Sequence, residues 1–237
     1  MSEITQIVYI VDDDVSVRES LELLVRCAGY HAETFASALA FLSHPRAAVP
    51  SCLVLDIGLP GLNGLGLQQH LAATRNEMPI IFVTGCNDVH VTVQAMKAGA
   101  QEFLTKPFDD EVLLCAIRQA IERSQAAVGR DAQLQAIKAR YESLTTRERQ
   151  VMALVVAGLL NKQVGSELGI SEITVKAHRG KVMLKMQADS LPDLVRMAAR
   201  LRIAPGTGNQ LQRHSSFLTK QPVSPGSFTL PTGHYLQ

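Results

Sequence analysis

The chain has 237 residues, 46% of them hydrophobic, and a formal net charge of +1. That length predicts two domains rather than one, each with enough apolar residues for a core. No stretch approaches the ~18 consecutive apolar residues of a membrane span, and no basic segment followed by an apolar run opens the chain, so a cytoplasmic protein without a membrane partner is expected. Cys27, Cys52, Cys86 and Cys115 lie among apolar neighbours without CxxC spacing. Such a pattern excludes a disulfide framework or zinc site and predicts small core residues. The near-zero net charge hides a polarity. Residues 1–122 carry seven Lys/Arg against fifteen Asp/Glu, a net of −8, whereas residues 145–202 carry ten against five, a net of +5. An acidic first half and a basic second half call for different partners, and a small basic domain is the electrostatic footprint of nucleic-acid binding.

Taken in order, the first half alternates short apolar runs with segments of helical period. Ile7 to Val11 ends in Asp12, Asp13 and Asp14; Cys52 to Leu55 ends in Asp56; Ile80 to Val83 ends in Thr84; Glu102 to Thr105 is followed by Lys106 and Pro107. Runs this short and this apolar read as strands buried on both faces. A further short strand is expected at His31–Phe35, and helices are expected between the strands, one closed by Gly29 and another by Gly99. Five such alternations predict a doubly wound parallel sheet.

Ligands bind such sheets at the carboxyl ends of the strands, where Asp12, Asp13, Asp56, Thr84 and Lys106 are expected to gather. Taken alone, Asp56 could equally be the acid that starts a loop toward Gly61 and Gly64. Together, the carboxylates offer hard oxygen ligands suited to Mg²⁺, Lys106 a compact cation for phosphoryl oxygens, and Thr84 a hydrogen-bond donor.

Beyond Ile121 the residues stay polar and helix-forming. Residues 123–143 are expected to form a long helical linker, with Gly129 as its one candidate interruption. Leu134, Ile137 and Tyr141 make a narrow stripe that suits either a dimer seam or packing on the chain's own domains. Thr145 to Glu148 is a capping-box pattern before Val151, Leu154 and Val155. A short helix at Asn161–Leu168, a turn at Gly169-Ile170 and a helix from Ser171 to about Met186 give the helix-turn-helix arrangement. A last helix follows the cap at Ser190. Residues 203–237, rich in Pro, Gly and Ser, read as a disordered tail.

The residues at the strand ends resemble the receiver domain of bacterial two-component response regulators over about the first half of the chain. The resemblance implies that Asp12 and Asp13 form the acidic pair, that Asp56 is the phosphoacceptor, and that the Gly58 carbonyl joins Asp13 and Asp56 around Mg²⁺. It makes Thr84 and Lys106 the phosphoryl partners and Phe103 the aromatic switch residue. Gly58 is a departure, since larger residues are commoner there.

Residues Leu144-Thr145, Arg147-Glu148, Gly158, Asn161-Lys162, Ile170-Ser171-Glu172, Thr174-Val175-Lys176 and His178 resemble the four-helix LuxR-type helix-turn-helix of the NarL/FixJ response regulators. By that resemblance Lys176, Ala177 and Gly180 face base edges, while Lys162, Thr174, Arg179 and Lys181 approach phosphates. Gly180 stands where a longer residue is common.

The fold expected is α/β plus all-α. A flavodoxin-like receiver (1–122) is followed by the helical linker (123–143), a LuxR-type helix-turn-helix domain (144–202) and the tail. The function implied is a transcriptional response regulator without enzymatic activity. A sensor histidine kinase would phosphorylate Asp56, a homodimer would bind double-stranded promoter DNA, and RNA polymerase would be a further partner. An enzyme using Asp56 as nucleophile, as haloacid-dehalogenase-like phosphatases do, would place another acid two residues later, where this chain has Gly58. A silent receiver serving only as a dimerisation module is the other alternative, against which the complete acid, Thr and Lys set argues.

Overall fold

The computed structural model describes residues 6–73, 78–85 and 89–203. The chain divides into two compact units, Met1–Gln133 and Leu134–Gln237. The first alternates β1 (Ile7–Val11), α1 (Val15–Cys27), β2 (His31–Phe35), α2 (Ala38–Ser43), β3 (Ser51–Asp56), α3 (Gly64–Ala73), β4 (Ile80–Thr84), α4 (Val89–Lys97) and β5 (Glu102–Thr105), followed by α5 (Asp110–Glu142). All strand pairs are parallel, in the order β2-β1-β3-β4-β5.

Period-two alternation sorts each central strand between two cores. Val8, Ile10, Val54, Ile81 and Val83 face α1 and α5 through Leu21, Val25, Leu113 and Ile117. Ile7, Tyr9, Leu53, Leu55 and Phe82 face α2, α3 and α4 through Phe41, Leu67, Leu71 and Ala95. Covered on both sides, β1, β3 and β4 are buried at every residue, whereas the edge strands β2 and β5 are only partly so.

Two features of the sequence behave differently from expectation. Cys52 is buried, but Cys27 and Cys115 are exposed. Cys27 lies two residues, about 200° of helical turn, past buried Val25, and Cys115 falls on the outward side of the Leu113, Ala116 and Ile117 stripe. Cys86 lies outside the described residues. Gly129 does not interrupt its helix, because α5 runs unbroken through residues 123–142. Of the Leu134, Ile137, Tyr141 stripe, Ile137 is buried and Tyr141 half-buried against Met152, Val182, Met186 and Leu194 in the second unit, while Leu134 stays exposed.

The second unit continues with α6 (Thr146–Val156), α7 (Asn161–Leu168), α8 (Glu172–Met186) and α9 (Leu191–Arg200). Its caps follow from side chains that satisfy the first orphaned N–H groups. Thr145 and Glu148 close a reciprocal capping box, and Ser171 and Ser190 cap α8 and α9. Gly169 adopts φ 65° at the end of α7, a left-handed conformation that lets α8 leave at an angle. Ile203 packs on the helical core, and the expected tail beyond it lies outside the described residues.

Two glycines predict opposite outcomes. A Cβ at Gly64 would come 2.6 Å from the Asp56 carbonyl oxygen and 3.0 Å from Ile57 Cα, so Gly64→Ala is expected to destabilise the first unit by about 1–3 kcal/mol. At Gly129 a Cβ meets nothing within 4 Å, so Gly129→Ala is expected to stabilise α5 by about 0.5–1 kcal/mol. Calorimetric melting of the two variants checks both signs.

Candidate functional site

Strand register alone assembles the first unit's polar cluster. Val11 pairs with Leu55, Asp56 with Val83, and Thr84 with Thr105, so Asp12, Asp56, Thr84 and Lys106 end four adjacent strands at one edge. The strand order reverses between β1 and β3, the crevice where open α/β sheets take ligands. Asp12 and Asp56 flank it.

The run of three acids after β1 divides its labour. Asp14 caps α1, accepting from the N–H groups of Ser16 and Val17. Asp12 is buried, its Oδ1 accepting from the Asp14 N–H at 2.9 Å. Asp13 stays exposed, with a carboxylate oxygen close enough to those of Asp12 and Asp56 that all three lie within 4.8 Å of one another. The guanidinium of Arg18 donates to the Asp12 carbonyl at 2.7 Å and ties α1 to this strand end.

Lys106 supplies the counter-charge. Its Nζ lies 2.6 Å from Asp12 Oδ2 and 3.6 Å from Asp56 Oδ1. Asp56 Oδ2 accepts from the Gly58 N–H at 3.0 Å. Burial nevertheless raises the Asp56 carboxyl above its ordinary range; Lys106 and the Gly58 N–H oppose that shift, and Asp12 and Asp13 reinforce it. Three carboxylates against one ammonium leave an excess of negative charge. A hard divalent cation fits this oxygen set and would relieve the excess.

Thr84 is buried beside the cluster, and its carbonyl accepts from the Lys106 N–H at 2.7 Å. Gly58 reaches the cluster through its N–H, and a Cβ there would lie 3.1 Å from Asp56 Oδ2, so the glycine leaves that oxygen uncrowded. Phe103 belongs to β5, one strand beyond Thr84. It is half-buried beside Phe82, ring centroids 6.4 Å apart, two residues before Thr105 in register.

In the second unit α7, the Gly169 turn and α8 form the helix-turn-helix. Lys162, Thr174, Lys176, Ala177, Gly180 and Lys181 are exposed, while Val175, Val182 and Met186 face inward. Arg179 is half-buried instead, donating to Asn161 Oδ1 at 3.1 Å across to the start of α7. The Thr174 hydroxyl is 2.8 Å from Ser171 Oγ within the cap.

Several cations of the basic half do structural work that spacing does not reveal. Arg147 donates to the Leu168 carbonyl at 2.6 Å, and Arg149 donates to the Glu142 carbonyl while stacking over Tyr141. Lys185 meets buried Glu148 at 2.7 Å. That bond, with the Thr145 N–H of the capping box, holds the Glu148 carboxyl below the usual range. The capping box was legible in the sequence; its partner 37 residues away was not.

Two family descriptions cover most of the chain: "Response regulator receiver domain" matches residues 8–118, and "Bacterial regulatory proteins, luxR family" matches residues 142–198. Nodulation protein W of Bradyrhizobium diazoefficiens is 48% identical over 206 residues, covering 87% of this chain and 91% of that one. Transcriptional regulatory protein FixJ of the same organism is 43% identical, covering 81% and 94%. The solved structure of response regulator StyR shares 44% identity, with a TM-score of 0.75, over 83% of this chain and 99% of that one. The chain therefore belongs to the two-component transcriptional response regulators that join a receiver domain to a LuxR-type helix-turn-helix. Among the described residues no helix is long and apolar enough to cross a membrane.

A depressed carboxyl contributes stability that is fully present above its unfolded value and is lost as pH falls through the lower folded value. The second unit is therefore expected to lose the Glu148 contribution as pH drops below about 4.5. Glu148→Gln, which keeps a capping-box side chain but no charge, is expected to lower the melting temperature at pH 7 and to flatten its dependence between about pH 5 and pH 3. Calorimetry across that range checks it; an unchanged acid slope contradicts the assignment.

Proposed function

We propose that Asp56 accepts a phosphoryl group from a sensor histidine kinase and that this modification switches dimerisation and promoter binding. The observation that carries this reading is the juxtaposition of Asp12, Asp13 and Asp56 with the Lys106 ammonium at the reversal of strand order. A carboxylate oxygen of Asp56 attacks phosphorus, the P–N bond of the kinase phosphohistidine breaks, and the imidazole leaves with the bonding pair. Asp12, Asp13, Asp56 and the Gly58 carbonyl are the groups that would hold Mg²⁺, which when bound neutralises phosphoryl oxygens as charge builds on them. The Lys106 ammonium meets the same oxygens, already aimed by Asp12 and Asp56.

The Thr84 hydroxyl hydrogen-bonds a phosphoryl oxygen, and its movement toward the phosphoryl group leaves room for the half-buried Phe103 ring to turn inward. That remodels the face formed by α4 and α5, through which the receiver forms a homodimer or releases the DNA-binding unit. Val89, Val93 and Met96 already expose apolar surface on α4. A dimer presents two copies of α8 to half-sites about one helical turn apart. Lys162, Thr174, Arg179 and Lys181 lie toward phosphates, and Lys176, Ala177 and Gly180 toward base edges. RNA polymerase is the further partner of a promoter-bound regulator, and the protein works in the cytoplasm.

Intact-mass measurement after incubation with acetyl phosphate and Mg²⁺ tests the chemistry. One phosphoryl adduct is expected on the wild-type chain, lost with a chelator and lost in Asp56→Asn. Undiminished labelling of Asp56→Asn would place the phosphoacceptor elsewhere.

A further inference from the structure

An α-helix turns about 100° per residue, so position along α8 fixes the direction of each side chain. Buried Val175, Val182 and Met186 mark its inward face. Ile173, Ala177, Gly180 and Leu184 lie within about 60° of one another on the opposite side. All four are exposed, Ile173 at 80% and Leu184 at 78%. Lys176 and Lys181 stand to either side of this strip. The centre of the outward face is apolar, and its cations sit on the margins.

A single exposed aliphatic residue is ordinary on a protein surface. Ile173 differs by its place. It is the second residue of α8, in the turn capped by Ser171, and the N-terminal residues of the second helix are those that reach base edges when a helix-turn-helix docks. Leu184 lies about 16 Å further along the axis, some three turns beyond the N-terminal residues that contact base edges. Only the N-terminal end of the strip can meet bases.

An isoleucine side chain offers no hydrogen bond. The apolar group that base edges present in the major groove is the C5 methyl of thymine. The short side chains of Ala177 and Gly180 leave the helix free to approach closely at this level. We infer that Ile173 packs on a thymine methyl and makes the protein discriminate thymine at one position of each half-site. The inference rests on the DNA-binding reading above.

The test uses the full chain, phosphorylated with acetyl phosphate and Mg²⁺, on a duplex selected from a random pool. Each thymine is replaced in turn by uracil, which removes only the methyl. For the wild type, uracil at one thymine per half-site is expected to weaken binding about 3- to 10-fold. Ile173→Ala is expected to bind the thymine duplex more weakly by a similar factor and to be indifferent to uracil at that position. Circular-dichroism melting confirms that it is folded. Leu184→Ser, equally exposed but far along α8 from those residues, is expected to keep the wild-type profile. If Ile173→Ala retains the uracil penalty, or if no thymine methyl matters to the wild type, the role of Ile173 is overturned. If the wild type selects no sequence, the DNA-binding reading falls, and this inference with it.

Discussion

The first unit depends on how one ammonium is shared between two buried carboxylates. Asp12 and Asp56 end neighbouring strands at the reversal of strand order, and Lys106 reaches both from the end of β5. Carboxylates so placed cost free energy unless paired or hydrogen-bonded. Pairing here is incomplete by construction, since Asp13 adds a third negative group and Asp56 remains shifted upward by burial. A site left short of positive charge is one that a divalent cation and then a phosphoryl group can complete. The sheet supplies the precision. Three strands buried at every residue fix the register, and the register fixes which side chains become neighbours.

The second unit solves a different problem, holding a short helix pair at a set angle on a small core. Apolar packing of Val151, Val155, Val164 and Val175 joins α6, α7 and α8. A Cβ at Gly165 would come within 2.7 Å of the Ile170 carbonyl oxygen, so close approach of helix to turn is built in. Polar braces then lock the arrangement: Arg147 to the end of α7, Arg179 to Asn161 at its start, and Lys185 to Glu148. The excess of cations therefore has two uses. Arg147, Arg149 and Lys185 serve the fold, while Lys162, Lys176 and Lys181 stand exposed on the helix-turn-helix as charge available to a polyanion.

The sheet was legible because its strands are short apolar runs that end in polar residues, and the helix caps because Thr145, Ser171 and Ser190 sit where orphaned N–H groups need an acceptor. The juxtaposition of Asp12, Asp13, Asp56 and Lys106 followed from parallel pairing alone. What stayed hidden needed three dimensions. Helical phase turns Cys27 and Cys115 outward, although their sequence neighbours are apolar. Gly129 has too small a propensity cost, about 1 kcal/mol, to break a helix as long as α5. The stripe at Leu134, Ile137 and Tyr141 suited two kinds of packing, and only the position of the second unit's core favours one. The bonds from Arg179 to Asn161 and from Lys185 to Glu148 join residues 18 and 37 apart, beyond the reach of spacing rules.

The central claim is that charge placed on Asp56 in one unit changes what α8 does in the other. Its most direct test is DNA affinity of the full chain, measured with and without acetyl phosphate and Mg²⁺ while molecular mass is followed in the same samples. A phosphorylation-dependent gain in sequence-selective affinity accompanied by a dimer mass, absent in Asp56→Asn, is predicted. Sequence-selective binding that is indifferent to phosphorylation would contradict the switch and leave a constitutive DNA-binding protein.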